Sequence, residues 1–129
     1  MGALTDQRHI YRFEEADWHL PMSKGVDPEK LAAAGEEGVA RRFLAQGDGN
    51  FYTQVVRMPA GFTAPSHAHD HAEVFMVLEG GCTFDGERMD RYDLTVVAAG
   101  SPYTFTAGDD GVLFLVVRQG KADFKEVDA

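Results

Sequence analysis

Eight consecutive residues, Ser66-His67-Ala68-His69-Asp70-His71-Ala72-Glu73, hold three of the chain's five histidines together with two carboxylates. Imidazole and carboxylate are common side-chain ligands of divalent metals, so this crowding points first to metal chemistry. In an extended strand His67 and His69 project from one face about 6.6 Å apart, a gap their rings close by leaning onto one ion. Glu73 would lie about 20 Å from His67 along a continuous strand, whereas two ligands of one metal are about 4 Å apart. The chain must therefore reverse at Asp70-His71-Ala72, which leaves His71 at the bend and starts a returning strand at Glu73, facing the histidines. His67, His69 and Glu73 then form a two-histidine, one-carboxylate triad with open coordination positions, suited to non-haem Fe(II) or to a catalytic zinc.

Such a triad needs a frame of short strands, and the punctuation of the chain supplies one. With 129 residues, 44% hydrophobic and 26% charged, the length fits one globular domain. After residue 46, Gly and Asx-Gly pairs divide the chain into segments rich in Val, Phe, Thr, Tyr and Leu, read as strands at 39–46, 51–58, 62–69, 73–78, 94–98, 102–106 and 112–118. Gly47-Asp48-Gly49-Asn50 and Asp85-Gly86 mark hairpins. Roughly eight or nine strands in about 80 residues imply an all-β closed barrel or jelly roll, since closure removes exposed sheet edges. Residues 1–36 read as an N-terminal arm packed on the barrel or on a partner subunit. It carries an expected strand at 8–13 and a short helix at 27–35, capped by Asp27, opened by Pro28 and stopped by Gly35. Residues 37–129 form the barrel domain.

The spacing Gly61, five residues, His67-Ala68-His69, three residues, Glu73, six residues, Gly80 resembles the first motif of the cupin superfamily at every fixed position. The second cupin motif is degenerate. Gly100 remains, while Tyr92, Ala98, Tyr103 and Ala107 stand where the family has Gly, Pro, a fourth metal-ligand His, and Asn. The resemblance covers about residues 39–118 and implies a double-stranded β-helix, often dimeric, holding one divalent metal per chain. Loss of the fourth histidine leaves the triad complete, so Fe(II) is favoured, with zinc, nickel or manganese as alternatives. Tyr103 either binds the metal as a phenolate or, as favoured here, stands behind the ligands as a neutral phenol that donates a hydrogen bond or proton to substrate.

The expected function is a metal-dependent enzyme acting on a small oxygenated molecule, with a dioxygenase reaction as the best guess. A metal-dependent isomerase, cyclase or lyase, and a non-enzymatic ligand-binding or sensing cupin, are the alternatives. A barrel whose histidines are satisfied by hydrogen bonds alone is the plainer reading, against which ligand types and spacing weigh together. Phe75 and Val77 alternate in step with Glu73 and should line the interior, joined there by Phe105. Arg57 is a weaker candidate for a substrate carboxylate, a nearby acid being the commoner partner for a strand arginine. Cys82 reads as a small buried hydrophobe. A formal charge of −9 repels nucleic acid and anionic membrane surfaces. The single cysteine and the absence of an apolar leader in the sequence given lead to a cytoplasmic location as the expectation, and the resemblance to cupins implies a homodimer.

Overall fold

A computed structural model describes residues 8–19, 29, 38–120 and 125–126. Among them run eight strands: β1 (Ala40–Gln46), β2 (Tyr52–Met58), β3 (Thr63–Ala68), β4 (Glu73–Phe84), β5 (Glu87–Asp90), β6 (Leu94–Val97), β7 (Tyr103–Arg118) and β8 (Lys125–Glu126). Every ladder between them is antiparallel, as expected of an all-β jelly roll. The long strands β4 and β7 tie the structure together. Glu73 to Gly80 runs beside Arg118 to Val112, and Cys82 to Phe84 beside Ala107 to Phe105. Between these stretches both strands turn a corner, so the first half of β7 also pairs with β3 and the second half with β2.

That corner corrects the strand reading. Segments 102–106 and 112–118 are one strand, and the expected strand 73–78 continues to Phe84. Gly80 and Gly111 both take positive φ and meet back to back, where a Cβ on Gly80 would collide with the Gly111 carbonyl oxygen. Glycine here marks a close crossing inside continuous strands. Both expected hairpins form, the first through a short 3-10 turn at Asp48–Asn50 and the second at Asp85-Gly86. The two-residue β8, which pairs with His67 and Ala68 of β3, has no counterpart in the sequence reading.

The interior follows the two-residue period of the strands. Phe75, Val77 and Phe84 of β4 meet Phe105, Phe114 and Val116 of β7, and Val56, Cys82 and Met89 join the same buried cluster. Phe75 sits at the centre, stacked on Phe114 at 4.3 Å and edge-on to Phe84 and Phe105 at 5.1 and 5.2 Å.

The expected strand at 8–13 does not form. Phe13–Glu15 is a 3-10 turn, and the chain is held to the barrel by side chains instead of a ladder. Arg42 donates to the Phe13 carbonyl at 3.0 Å and stacks over the Phe13 and Trp18 rings, while Arg57 covers Trp18 at 4.3 Å. A single bridge, His19 to Arg41, then joins this segment to β1. The helix expected at 27–35 lies outside the described residues except for Glu29, which is helical. No helix among the described residues is long and apolar enough to cross a membrane.

Candidate functional site

Two strand ends, one bend and one corner gather the candidate residues. His67 is at the end of β3 and His69 just past it, with the bend at Asp70 and His71 returning the chain so that Glu73 opens β4. The remnant of the second motif fixes this turn, since the Gly100 N–H donates to the His69 carbonyl at 2.8 Å. His67 and His69 lie on one face with ring centres 5.0 Å apart, and His69 Nε2 is 4.0 Å from Glu73 Oε2. His71 stands apart, its ring lying over Gly120, where any added side chain would strike it.

Tyr103 and Arg118, the first and last residues of β7, both reach Glu73. Tyr103 pairs in register with His67, so its ring packs 4.3 Å from that imidazole and its hydroxyl donates to Glu73 Oε1. Arg118 pairs in register with Glu73 itself; its Nε donates to Oε2 at 2.7 Å, and its Nη2 lies 3.3 Å from His69 Nε2. Both oxygens of the carboxylate are therefore met by donors, which is what a charge only 2% exposed requires. Burial first, then the neighbouring Glu73 charge and the bond to it, push the Tyr103 phenol far above its ordinary range, so it remains a neutral donor.

Phe75, Val77 and Phe105 belong to the buried apolar cluster, on the same faces of β4 and β7 as Glu73 and Tyr103. They form the apolar floor of the interior. Arg57 is on the outer face, stacked on Trp18 and bonded to the Gly38 carbonyl at 3.3 Å. An arginine that reaches the cluster from the interior face is Arg118, which the sequence reading passed over although it continues the inward phase of Phe114 and Val116.

Two imidazoles and a carboxylate, all nearly buried, fit a divalent cation in donor type and in burial, and the 4.0 Å between His69 and Glu73 is within the span of two ligands on one ion. Each oxygen of an ionised carboxylate has two lone pairs, so Glu73 retains capacity beyond Tyr103 and Arg118. A positive charge already stands between Glu73 and His69, the guanidinium of Arg118. Among the described residues, no three His, Cys, Asp or Glu side chains converge as a metal-holding group.

Known folds and one family model match this arrangement. The polyketide cyclase RemF from Streptomyces resistomycificus is similar over 95% of this chain and 87% of its own, at 17% identity and a TM-score of 0.70. The structure of Rhodobacter sphaeroides SigE in complex with the anti-sigma ChrR is similar over 83% of this chain at 20% identity and a TM-score of 0.62, this chain spanning 51% of the matched one. The DMSP lyase DddQ from Ruegeria pomeroyi is similar over 82% of this chain and 57% of its own, at 24% identity and a TM-score of 0.63. No curated protein is a detectable relative. At these identities the likenesses carry the fold, and the proteins that share it range from a cyclase and a lyase to an anti-sigma protein. The model of the ChrR cupin-like domain matches residues 6–123, nearly the whole chain, and the chain therefore belongs to that family within the cupins.

Proposed function

We propose that this chain is a metal-dependent cupin enzyme that binds a small oxygenated organic molecule at the polar end of its barrel, with His67, His69 and Glu73 as the metal ligands. The observation that carries the reading is the meeting of two buried imidazoles with a buried carboxylate, His69 Nε2 lying 4.0 Å from Glu73 Oε2. A divalent ion bound there supplies Lewis acidity, and Fe(II), the favoured metal, adds oxygen chemistry of the dioxygenase type; zinc, nickel or manganese would serve an isomerase, cyclase or lyase.

The chain's own residues set the terms of that chemistry. Tyr103 keeps its proton on the phenolic oxygen and holds Glu73 in orientation through Oε1. Arg118 holds the other oxygen from the opposite side. Phe75, Val77 and Phe105 close the floor of the proposed substrate pocket and keep water from the lower face of the cluster. A second reading, a ligand-binding or sensing cupin without turnover, is favoured by the same ion pair, since Arg118 already balances Glu73.

Solution behaviour follows from the surface in the same proposal. Leu94 and Val96 are 52% and 66% exposed on β6, which pairs only with β4 among the described strands, and this apolar edge supports a homodimer. The formal charge of −9 argues against nucleic acid and anionic membranes as partners, and a cytoplasmic location remains the expectation.

Metal analysis of the purified full chain tests the central claim, alongside the double variant His67→Ala/His69→Ala and the single variant Glu73→Ala. Near-stoichiometric metal, lost in both variants while their spectra remain folded, is the expected result. Iron directs the next step to oxygen consumption, and zinc or nickel to isomerase, cyclase and lyase assays. Absence of metal in all three, after reconstitution with Fe(II), Mn(II), Ni(II) and Zn(II), leaves the binding reading.

A further inference from the structure

Arg118 stands opposite Glu73 in the ladder between β4 and β7, so its side chain shares a face with the cluster and is only 12% exposed. One guanidinium touches both facing groups. Its Nε donates to Glu73 Oε2 at 2.7 Å, and its Nη2 lies 3.3 Å from His69 Nε2. A guanidinium has donors and no acceptor, so in the second contact the ring nitrogen accepts and its lone pair points at Arg118. The two oxygens of Glu73 keep lone pairs to spare after bonding to Tyr103 and Arg118, but an imidazole nitrogen has a single one. A ligand bond from His69 Nε2 therefore uses the pair that Arg118 Nη2 already engages. Charge acts in the same direction: a divalent ion shared by His69 Nε2 and Glu73 Oε2, 4.0 Å apart, would stand against a nearly buried cation that already bridges those two atoms.

Resting on the metal reading above, we propose that Arg118 is an internal competitor for the metal site, and that a divalent ion binds through His69 Nε2 only when the guanidinium releases that atom. Arg118 thereby sets how tightly the barrel holds a metal. Binding exchanges one cation for another at the same buried carboxylate, so the affinity read in solution is the intrinsic affinity of the ligands less the cost of displacing the guanidinium. The return of Arg118 when the ion leaves keeps Glu73 paired in both states. An arginine that served only to hold Glu73 in place would support metal binding, and its removal would weaken it; a competitor gives the opposite sign.

Calorimetric titration of the chelator-treated full chain with Zn(II) and with Mn(II) tests the competition. Arg118→Gln is expected to bind either ion at least tenfold more tightly than the wild type, and adding His69→Ala to it should abolish the gain. Arg88→Gln, which removes an exposed guanidinium bonded to Asp90, should bind as the wild type does. Melting supplies a second readout: Arg118→Gln leaves Glu73 without its cation and should melt below the wild type before metal is added, then gain more from saturating Zn(II) than the wild type gains. If Arg118→Gln fails to fold, exchange of the Arg118 guanidinium protons with water, followed by NMR in the wild type, carries the test. Those protons should exchange slowly without zinc and faster once zinc is bound; slow exchange in the zinc-loaded protein overturns the proposal. Equal or weaker binding by folded Arg118→Gln, with metal bound by the wild type, overturns the competition and leaves the metal reading standing, as does a gain that survives His69→Ala. Metal bound by Arg118→Gln and refused by the wild type supports the competition and removes the metal from the wild-type protein. No metal bound by either folded protein overturns both.

Discussion

Glu73 and Phe75 stand two residues apart on β4, face the same interior and are withdrawn from water to nearly the same degree, 2% and 0% exposed. They are held there in opposite ways. Phe75 is fixed by aromatic contacts on three sides, which are non-directional and shared among many atoms. Glu73 is fixed by two directional donors, Tyr103 and Arg118, each of which carries a large share of the cost of burying the charge. The aromatic end therefore rests on packing spread over many contacts, and the polar end on a few directional bonds whose loss exposes a buried charge.

Phe75→Ala is the most severe test of that division. Removing a ring from the centre of the cluster leaves a cavity and should cost about 3–5 kcal/mol in urea denaturation. The molecules that remain folded should still load metal, because no partner of Glu73 is touched. A cost below about 1 kcal/mol, or metal lost at full stability, would break the comparison.

Tyr103→Phe sharpens it from the other side. The ring and its stack on Phe84 at 5.0 Å are kept, and only the donor to Glu73 is lost. A hydrogen bond to a charged group gives a cost of about 1.5–3 kcal/mol. Metal should remain bound while turnover falls, as measured by metal analysis and by the assay that the metal's identity selects. If the variant empties the site, Tyr103 is itself a ligand rather than a donor to Glu73.

The aromatic end was largely legible in the sequence because strand alternation is local: Phe75 and Val77 keep step with Glu73, and Phe105 with Tyr103. The reversal that returns Glu73 toward His69 was legible for a related reason, since a shared role for the two needs a turn at 70–72. Arg118 was missed because an arginine at the end of a strand reads as solvated, and its inward phase counts only once Phe114 and Val116 are known to be core. Arg57, the weaker candidate, has its place set by Trp18, 39 residues earlier in the chain, through a stack no periodicity encodes. The corner at Gly80 and Gly111 was unreadable for a different reason. A glycine that ends a strand and one that bends it look alike until the partner strand is known to continue, and β4 and β7 are partners only through contacts far apart in sequence.

Cys82 offers the smallest and cleanest contrast, because it is an acid placed in the apolar part of the molecule. It is 0% exposed, and burial pushes its thiol up to about 11, with Arg88 opposing the shift and Asp90 adding to it. In the unfolded chain the thiol ionises near its ordinary value of 9.0, so between that pH and about 11 the folded protein retains a proton the unfolded chain has released. The stability contributed by keeping the thiol neutral is then complete below pH 9 and is lost as pH rises through 11. Urea midpoints from pH 7.5 to 10.5 should fall more steeply for the wild type than for Cys82→Ala, whose own packing defect is a constant offset that leaves the slope interpretable. Parallel slopes would mean that the thiol ionises in place as easily as in water. That would require a donor at Cys82 comparable to those at Glu73, and the contrast between a buried acid held by partners and one held by packing alone would fail there.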